Sequence, residues 1–585
     1  MSHSNGDASI QMPQDHLQTQ TGVDETIELP SLTQLAVQHL EKIRKGRLSS
    51  EVRDKTVLCL LDYLGALVSG LSAPWATSLL RYAQVSSGGG GGGSPGPGTS
   101  SQSGSNVMGL ATRCSAETAA FTNASIAHSI IRDDMHLAAG AHIGVMVIPS
   151  ALALAQRDHW SGEQLLKAVV GGYEMAVALG SAVRHSGTCN PHFRPSGIVG
   201  AFAGASTGIV ADPTITSAQA AHALGLAANM AAGLNEWPWA GGVEMTTQMG
   251  AAARAGITSY DLAKAGMGSS LSVLEGKDGL FAAYGCGDRD VAATFFRNWL
   301  HAADAESKND KAAGGGVSYG TGIMGVKFKP VAGCNFIQTP VSVALRMHDS
   351  LYVDVHAKAK AKVNFQVNLD LKLNMPVTGM TPIMSTTTNT NTDAIVDVGD
   401  IDRVTIVTTS LARAYPGCDH AGPFEKVQQT KMSLQYGVCA GLLFGRVDEW
   451  TYLQFSNEDL ISLLGKCVLE TDAAFDEDLH KRGRQPCRLE VRMKKKGNGA
   501  QLVHRDFMAD VPWLNDTPGA AVEERFRKEV AAIFDRRAPP DVTNRDVVDD
   551  IVLECRRLLE NGSSSGTERL FDLLASPPQG LPVPS

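Results

Sequence analysis

Five residues that could move protons lie close together in the stretch 128–142 of this chain. They are His128, Asp133, Asp134, His136 and His142. An imidazole titrates near neutral pH, and a nearby carboxylate can orient it and raise its basicity, so the block is suited to general acid–base catalysis. We predict that His136 and His142 transfer protons, that Asp134 orients one of them, and that His128 packs on a helix.

Two other interpretations of this block stay open at the level of sequence. In one, Asp133 and Asp134 end a helix and start a turn, and the histidines are hydrogen-bonded structural residues. In the other, Asp134, His136 and His142 bind a divalent metal ion, since both residue types are ordinary ligands. The block lacks the spacing of an HExxH helix. We therefore expect neither a metal nor another cofactor.

Two cations and a hydroxyl are candidates for binding an anionic substrate. Arginine forms bidentate pairs with carboxylates and lysine supplies a compact charge, so Arg194 and Lys329 are predicted to bind substrate carboxylates. Arg194 precedes Pro-Ser-Gly, which predicts a helix N-terminus that adds backbone donors for an anion. Tyr436 is predicted to donate its hydroxyl. The alternative for each cation is an ordinary ion pair.

Helical patterns must position these residues. Apolar segments rich in small residues dominate up to about residue 300, and small residues let helices pack closely. Beyond residue 323, the segment 401–411 alternates like a strand, and 487–511 reads as two strands around a Lys-Gly-Asn-Gly turn. The predicted fold is therefore mainly α, a large all-helical domain with a smaller α+β domain.

The predicted organisation follows changes in composition along the chain. It consists of a disordered tail (1–29), an all-α domain (30–300) with a flexible insertion (86–105), an α+β domain (323–512) with a second insertion (384–393), helices that return to the helical domain (513–562), and a tail (563–585).

Composition limits the possible partners. With 43% apolar and 19% charged residues, the chain has the composition of a soluble globular protein. The net charge of −9 disfavours nucleic acid as a partner, and no apolar run is long enough to span a membrane. The N-terminus has neither a secretory nor a mitochondrial pattern, so a cytoplasmic location is expected. None of the ten cysteines forms a CxxC pair, which disfavours a zinc ribbon.

The order of these segments resembles the MmgE/PrpD family, which contains 2-methylcitrate dehydratases and cis-aconitate decarboxylases. The resemblance is carried by HSIIRDDMHLAAGAHIGVMVIPSALALAQ (128–156), VVGGYEMAVALG (169–180), HFRPSGIVGAFAGAS (192–206), AAARAG (251–256), KFKPVAGCNFIQ (327–338) and KMSLQYGVCAGLLFGRV (431–447). It implies a lyase that acts on a small polycarboxylate, without a metal, as a homodimer.

The chain departs from the decarboxylase branch of that family at three positions. Arg194 stands where that branch has a histidine, and Met245 and Gln248 stand where it has a lysine and a histidine, whereas Lys329 is kept. These differences disfavour decarboxylation. The leading hypothesis is dehydration of 2-methylcitrate or another alkylcitrate. The alternatives are a cis-aconitate decarboxylase, an isomerase, and an inactive family member that binds its ligand.

Overall fold

The fold is known from a computed structural model. It describes residues 30–87, 104–185, 190–285, 287–312, 321–362, 398–495, 501–514, 520–535, 545–558 and 566–575. The predicted N-terminal tail, the insertion at 384–393 and residues 88–103 of the first insertion lie outside the described residues.

A helical unit makes up the N-terminal half. Its helices are α1 (Leu32–Lys45), α2 (Ser50–Gly70), α3 (Ala76–Ser86), α4 (Ala116–Ala127), α5 (Gly144–Arg157), α6 (Gly162–His185), α7 (Pro195–Ala211), α8 (Ser217–Asn229), α9 (Trp237–Ala240), α10 (Glu244–Lys264), α11 (Leu280–Tyr284), α12 (Arg289–Ala312) and α13 (Thr321–Met324). Small residues set the spacing, as where Gly204 of α7 faces Gly256 of α10 and a side chain at position 256 would collide with backbone. α12 continues past the predicted domain end at 300.

A smaller unit follows with one mixed sheet. Its helices are α14 (Gln338–Lys362), α15 (Ser410–Ala414), α16 (Val427–Met432), α17 (Leu434–Phe444), α18 (Glu449–Tyr452), α19 (Glu458–Leu464) and α20 (Ala473–Arg482). Its strands are β1 (Ile401–Thr408), β2 (Cys467–Thr471), β3 (Cys487–Met493) and β4 (Val503–Met508), in the order β2-β1-β3-β4. β1 pairs parallel with β2, and β3 pairs antiparallel with β1 and β4. The mainly helical fold with a small α+β unit is confirmed, as is the hairpin.

The last helices pack onto the first unit. α21 (Ala520–Asp535), α22 (Arg545–Arg557) and α23 (Gly566–Ala575) contribute side chains to the helical core. The tail predicted from residue 563 is therefore wrong over α23, where Leu570 and Phe571 are buried. An amphipathic helix of ten residues shows too little periodicity in sequence to be separated from a polar tail.

α6 is long and apolar enough to cross a membrane, judged by length and composition. In the structure, 94% of its apolar stretch is buried inside the protein. A core helix of a globular protein has the same composition. Among the described residues, this is the one helix that passes that criterion.

Candidate active site

The proton-transfer block forms a strained turn between α4 and α5. Ile131 adopts a left-handed backbone conformation, with φ of 54°, which is unfavourable for a β-branched residue. Its carbonyl accepts hydrogen bonds from Lys329 Nζ at 2.8 Å and from the Gly333 amide at 3.2 Å. These contacts hold the turn, and after it Asp133 and Asp134 reach different partners.

Asp133 lies between two histidines. One carboxylate oxygen is 2.8 Å from Nδ1 of His128, and the other is 2.8 Å from Nδ1 of His142. The first contact is a hydrogen bond, and the second is a close approach that becomes an ion pair when His142 is protonated. The two rings meet edge to face, with centres 5.0 Å apart. The carboxylate that orients the imidazoles is therefore Asp133.

Asp134, predicted to orient an imidazole, faces the interior of the helical unit instead. It accepts hydrogen bonds from the Tyr173 hydroxyl at 2.5 Å and from the Gly144 amide at 2.8 Å. Burial, aided by the nearby charge of Asp62, raises the pKa of Asp134 to about 7. The predicted contact with a histidine is thus corrected, because the turn directs this side chain to the N-terminus of α5.

His136 is also directed away from Asp133. Its Nδ1 accepts from the Ala139 amide at 3.2 Å, and its Nε2 edge packs against Gly325. Burial and the charge of Lys327 lower the pKa of His136 to about 4. The structure therefore separates the two predicted proton-transfer histidines and brings His142 together with His128, which the sequence assigned to packing.

Both histidines beside Asp133 are neutral at physiological pH. Burial, together with the charge of Lys329, lowers the pKa of His142 to about 4, and burial lowers that of His128 to about 3. Burial opposes ionisation of Asp133, but the contacts with both histidines hold its pKa well below the ordinary range. His142 keeps 12% of its side chain accessible while its Nδ1 is buried. A neutral, partly accessible imidazole beside a carboxylate can act as a base.

Arg194 caps α7 and fixes the tautomer of His128. Its Nη2 donates to His128 Nε2 at 2.6 Å, and its Nη1 donates to the Met245 carbonyl at 2.9 Å and to Gln248 Oε1 at 3.3 Å. Trp237 covers the guanidinium, with its ring centre 5.0 Å from Cζ. Since Nε2 of His128 accepts, its Nδ1 carries the proton given to Asp133. Protein groups thus engage both terminal nitrogens that we expected to bind a carboxylate.

Lys329 is fully buried directly behind the turn. Its Nζ donates to the carbonyls of Ile131 and, at 3.2 Å, of Gly333. Burial lowers the pKa of Lys329, and the charge of Asp133 opposes that shift. An ammonium group has three donors, so one remains for a further acceptor.

α21 braces this region from outside. Arg525 donates to the backbone carbonyl of Lys329 at 2.6 Å and contacts Asp62 of α2. Glu529 is 3.0 Å from the guanidinium of Arg132, which directly precedes Asp133 in the chain. α21 thereby supports the backbone that carries both Lys329 and Asp133.

Tyr436 lies in the core of the second unit. Its hydroxyl donates to the Thr451 carbonyl at 2.7 Å and is fully buried beside Tyr452. This bond uses its donor, so the predicted donation to substrate is not the contact that the structure shows. The sequence analysis did not identify Tyr415, whose pKa is raised by burial and by Cys334, while the charge of Arg194 opposes that shift.

A metal site is poorly supported by the charges around the histidines. The structure brings together a different set from the predicted one, since the donor atoms of His128, Asp133 and His142 lie within 4.8 Å of one another. His128 already bonds to Asp133 and to Arg194, and Lys329 adds a second basic group. Two basic groups beside one carboxylate favour an anion over a divalent cation. The arrangement is suited to proton transfer on an anionic substrate.

The fold and the site together define a mainly helical protein with a small mixed-sheet unit and a buried cluster of acidic and basic residues. Comparison with known families identifies that class. Residues 34–291 match the MmgE/PrpD N-terminal domain, and residues 382–539 match the MmgE/PrpD C-terminal domain. The chain therefore belongs to the MmgE/PrpD family.

Two curated relatives are similar over part of the chain. Both are named cis-aconitate decarboxylase, one from Aspergillus terreus and one from its strain NIH 2624 / FGSC A1156. Each is 28% identical over 238 residues, which is 40% of this chain and 45% of the relative. The match thus spans less than half the length of either relative.

Proposed function

We propose that this protein is a lyase that dehydrates a citrate-type polycarboxylate, 2-methylcitrate or another alkylcitrate, to the corresponding alkene. One observation carries the proposal. A neutral, partly accessible histidine, His142, lies beside an ionised carboxylate, Asp133, with the basic groups of Arg194 and Lys329 next to them. Membership of the MmgE/PrpD family supports it.

In the proposed reaction, His142 removes a proton from the carbon next to a substrate carboxylate. The electron pair of that C–H bond forms the double bond, and the hydroxyl group on the neighbouring carbon departs. We assign the proton that the departing hydroxide needs to the imidazolium just formed, so that water is the second product. Asp133, 2.8 Å from His142 Nδ1, stabilises the imidazolium while it exists.

Arg194 and Lys329 provide the positive field for this step. Negative charge develops on the substrate as the C–H bond breaks, and fixed cations in a buried site stabilise it more strongly than water does. Both residues are buried and held by hydrogen bonds, so they need little reorganisation during the reaction. The guanidinium acts through its charge and through His128, and Lys329 keeps one donor for the substrate.

Contacts at Arg194 favour dehydration over decarboxylation. One hydrogen-bonded cluster contains all three departures from the decarboxylase branch, which are Arg194, Met245 and Gln248. A guanidinium stays protonated at any relevant pH and cannot relay a proton as a histidine does. Decarboxylation of cis-aconitate remains the second candidate, because both curated relatives carry that name.

The two candidates give different products. The purified protein should convert 2-methylcitrate into an alkene that absorbs near 240 nm, and a His142→Ala variant should lose that signal. Release of carbon dioxide from cis-aconitate at an enzymatic rate would favour the decarboxylase instead. Binding of polycarboxylates without either product would indicate an inactive family member. The cytoplasmic location and the homodimer stay predictions.

A further inference from the structure

The indole of Trp237 carries a buried donor that has no acceptor in the described part of the chain. Trp237 is the first residue of α9 and packs over Arg194, with its ring centre 5.0 Å from Cζ. The side chain is almost fully buried, and among the described residues nothing accepts from its Nε1. An indole N–H can only donate, so a complementary group must be an acceptor.

Gln428 provides a second set of unpartnered atoms, from the second unit. It lies on α16 and is 1% exposed, and within the described part of the chain neither its Nε2 nor its Oε1 has a partner. Lys431, three residues later, reaches the Ser129 carbonyl at 3.2 Å. Residues three apart share a helix face, so Gln428 is on the face of α16 turned towards the 128–131 segment.

The helices that carry these two side chains pack against each other. Gln429 donates to the Trp239 carbonyl at 3.0 Å, which joins α16 to α9. Gly417 packs between Pro238 of α9 and Met432 of α16. Trp237 and Gln428 therefore belong to one interface between the two units, and Arg194 lies at its edge.

Buried polar atoms without partners destabilise a folded protein, and such groups call for an explanation. Trp237 packs over the buried charge of Arg194, and its Nε1 is a neutral donor. Gln428 Nε2 is a second neutral donor, on the helix that packs against α9. Two such donors near a buried cation suit an anionic acceptor. We propose that these two side chains bind one carboxylate arm of the polycarboxylate substrate, while Lys329 and His142 act on the reacting end. This inference rests on the proposed function and makes Trp237 and Gln428 specificity-determining residues.

The test measures binding rather than turnover. Propane-1,2,3-tricarboxylate has no hydroxyl to eliminate, so titration calorimetry of the full-length protein with it reports affinity alone. We expect Trp237→Phe and Gln428→Leu each to weaken binding about ten- to a hundredfold, the effect of losing one hydrogen bond to a charged group. Gln428→Leu should leave Tm unchanged or raise it, because it removes two unpartnered polar atoms at similar volume.

A matched control removes a similar atom elsewhere. The hydroxyl of Tyr63 is also buried and finds no partner among the residues that the structure describes, in a cavity lined by Asn106, Gln156 and Phe571. Tyr63→Phe should leave the affinity for the tricarboxylate unchanged. Wild-type affinity in both Trp237→Phe and Gln428→Leu would overturn this inference and leave the proposed function intact. Failure of the wild-type protein to bind would contradict the proposed function itself.

Discussion

The carboxylate of Asp133 approaches Nδ1 of His142 to 2.8 Å in a buried site. A carboxylate in this position can stabilise the imidazolium that forms when the histidine accepts a proton. The adjacent Asp134 has equal chemistry but different partners, Tyr173 and Gly144. Position in the turn, rather than residue type, therefore decides which of the two neighbouring carboxylates contacts the histidines.

Asparagine substitutions distinguish the two carboxylates. Asp133→Asn removes the charge beside His142 and should lower kcat by about two to four orders of magnitude. Asp134→Asn should have a much smaller effect, because that carboxyl bonds to α5 rather than to an imidazole. Steady-state kinetics with 2-methylcitrate gives the comparison. Equal losses in the two variants would contradict the assignment of the orienting role to Asp133 alone.

The two histidines predicted from sequence should differ in the same assay. His142→Ala should lower turnover by about two to four orders of magnitude with the fold intact, because it removes the proposed base. His136→Ala should keep most of the activity, since its ring contacts Ala139 and Gly325 instead. Circular dichroism and Tm check the fold. Full activity in a well-folded His142→Ala protein would exclude this residue from the mechanism.

Asp134 should give stability a distinctive pH dependence. Its folded pKa of about 7 lies above the ordinary 3.8, so the folded state holds this proton more tightly than the unfolded state. The contribution of this proton to the free energy of unfolding is therefore largest below the ordinary pKa of 3.8, and it is lost as the pH rises through about 7. The neutral side chain of Asp134→Asn should remove that loss. Thermal melts should show Tm of the variant rising relative to wild type between pH 5 and pH 8, whereas parallel curves would contradict the shift.

Arg194 should not be replaceable by another cation. Lysine keeps the charge but cannot reach His128, Met245 and Gln248 together, so Arg194→Lys should cost about 1–3 kcal/mol of stability and lower kcat/KM. Arg194→His should not release carbon dioxide from cis-aconitate, since Met245 and Gln248 would still differ from the decarboxylase branch. Denaturant unfolding and a carbon dioxide assay test both statements, and wild-type behaviour of Arg194→Lys would refute the first.

The insertion after α3 should be dispensable. Ser87 and Ser105 flank it, and both bond to Cys114, through its Sγ at 2.9 Å and its carbonyl at 2.8 Å respectively. Because the two ends are already close, a short Gly-Ser linker can replace residues 88–103, and loop length changes closure entropy only slowly. Activity and Tm should stay near wild-type values. Loss of folding on replacement would show that the segment is structural.

Local patterns predicted the helices and the β3–β4 hairpin, since their signals lie within a short stretch of sequence. The parallel pairing of β2 with β1 could not be predicted, because Cys467 and Val404 are brought together by tertiary structure alone. Which of Asp133 and Asp134 faces the histidines follows from the turn in which Ile131 adopts a left-handed conformation. The sequence could not predict that conformation, because a β-branched residue rarely adopts it. Tyr436 was assigned to the site because its hydroxyl lies in a family motif. The sequence does not show that this hydroxyl donates to the Thr451 carbonyl in the core.

The contacts of α21 with the residues around the site can form only late in synthesis of the chain. Arg525 bonds to the carbonyl of Lys329, which the ribosome makes 196 residues earlier, and Glu529 pairs with Arg132 from still earlier in the chain. Domains emerge and fold from the N-terminus during translation. Every residue of the proposed reaction is present by position 329, yet the contacts between α21 and the backbone that positions them form only after α21 has left the ribosome. The nascent protein therefore holds a complete set of reacting groups before it holds a completed active site.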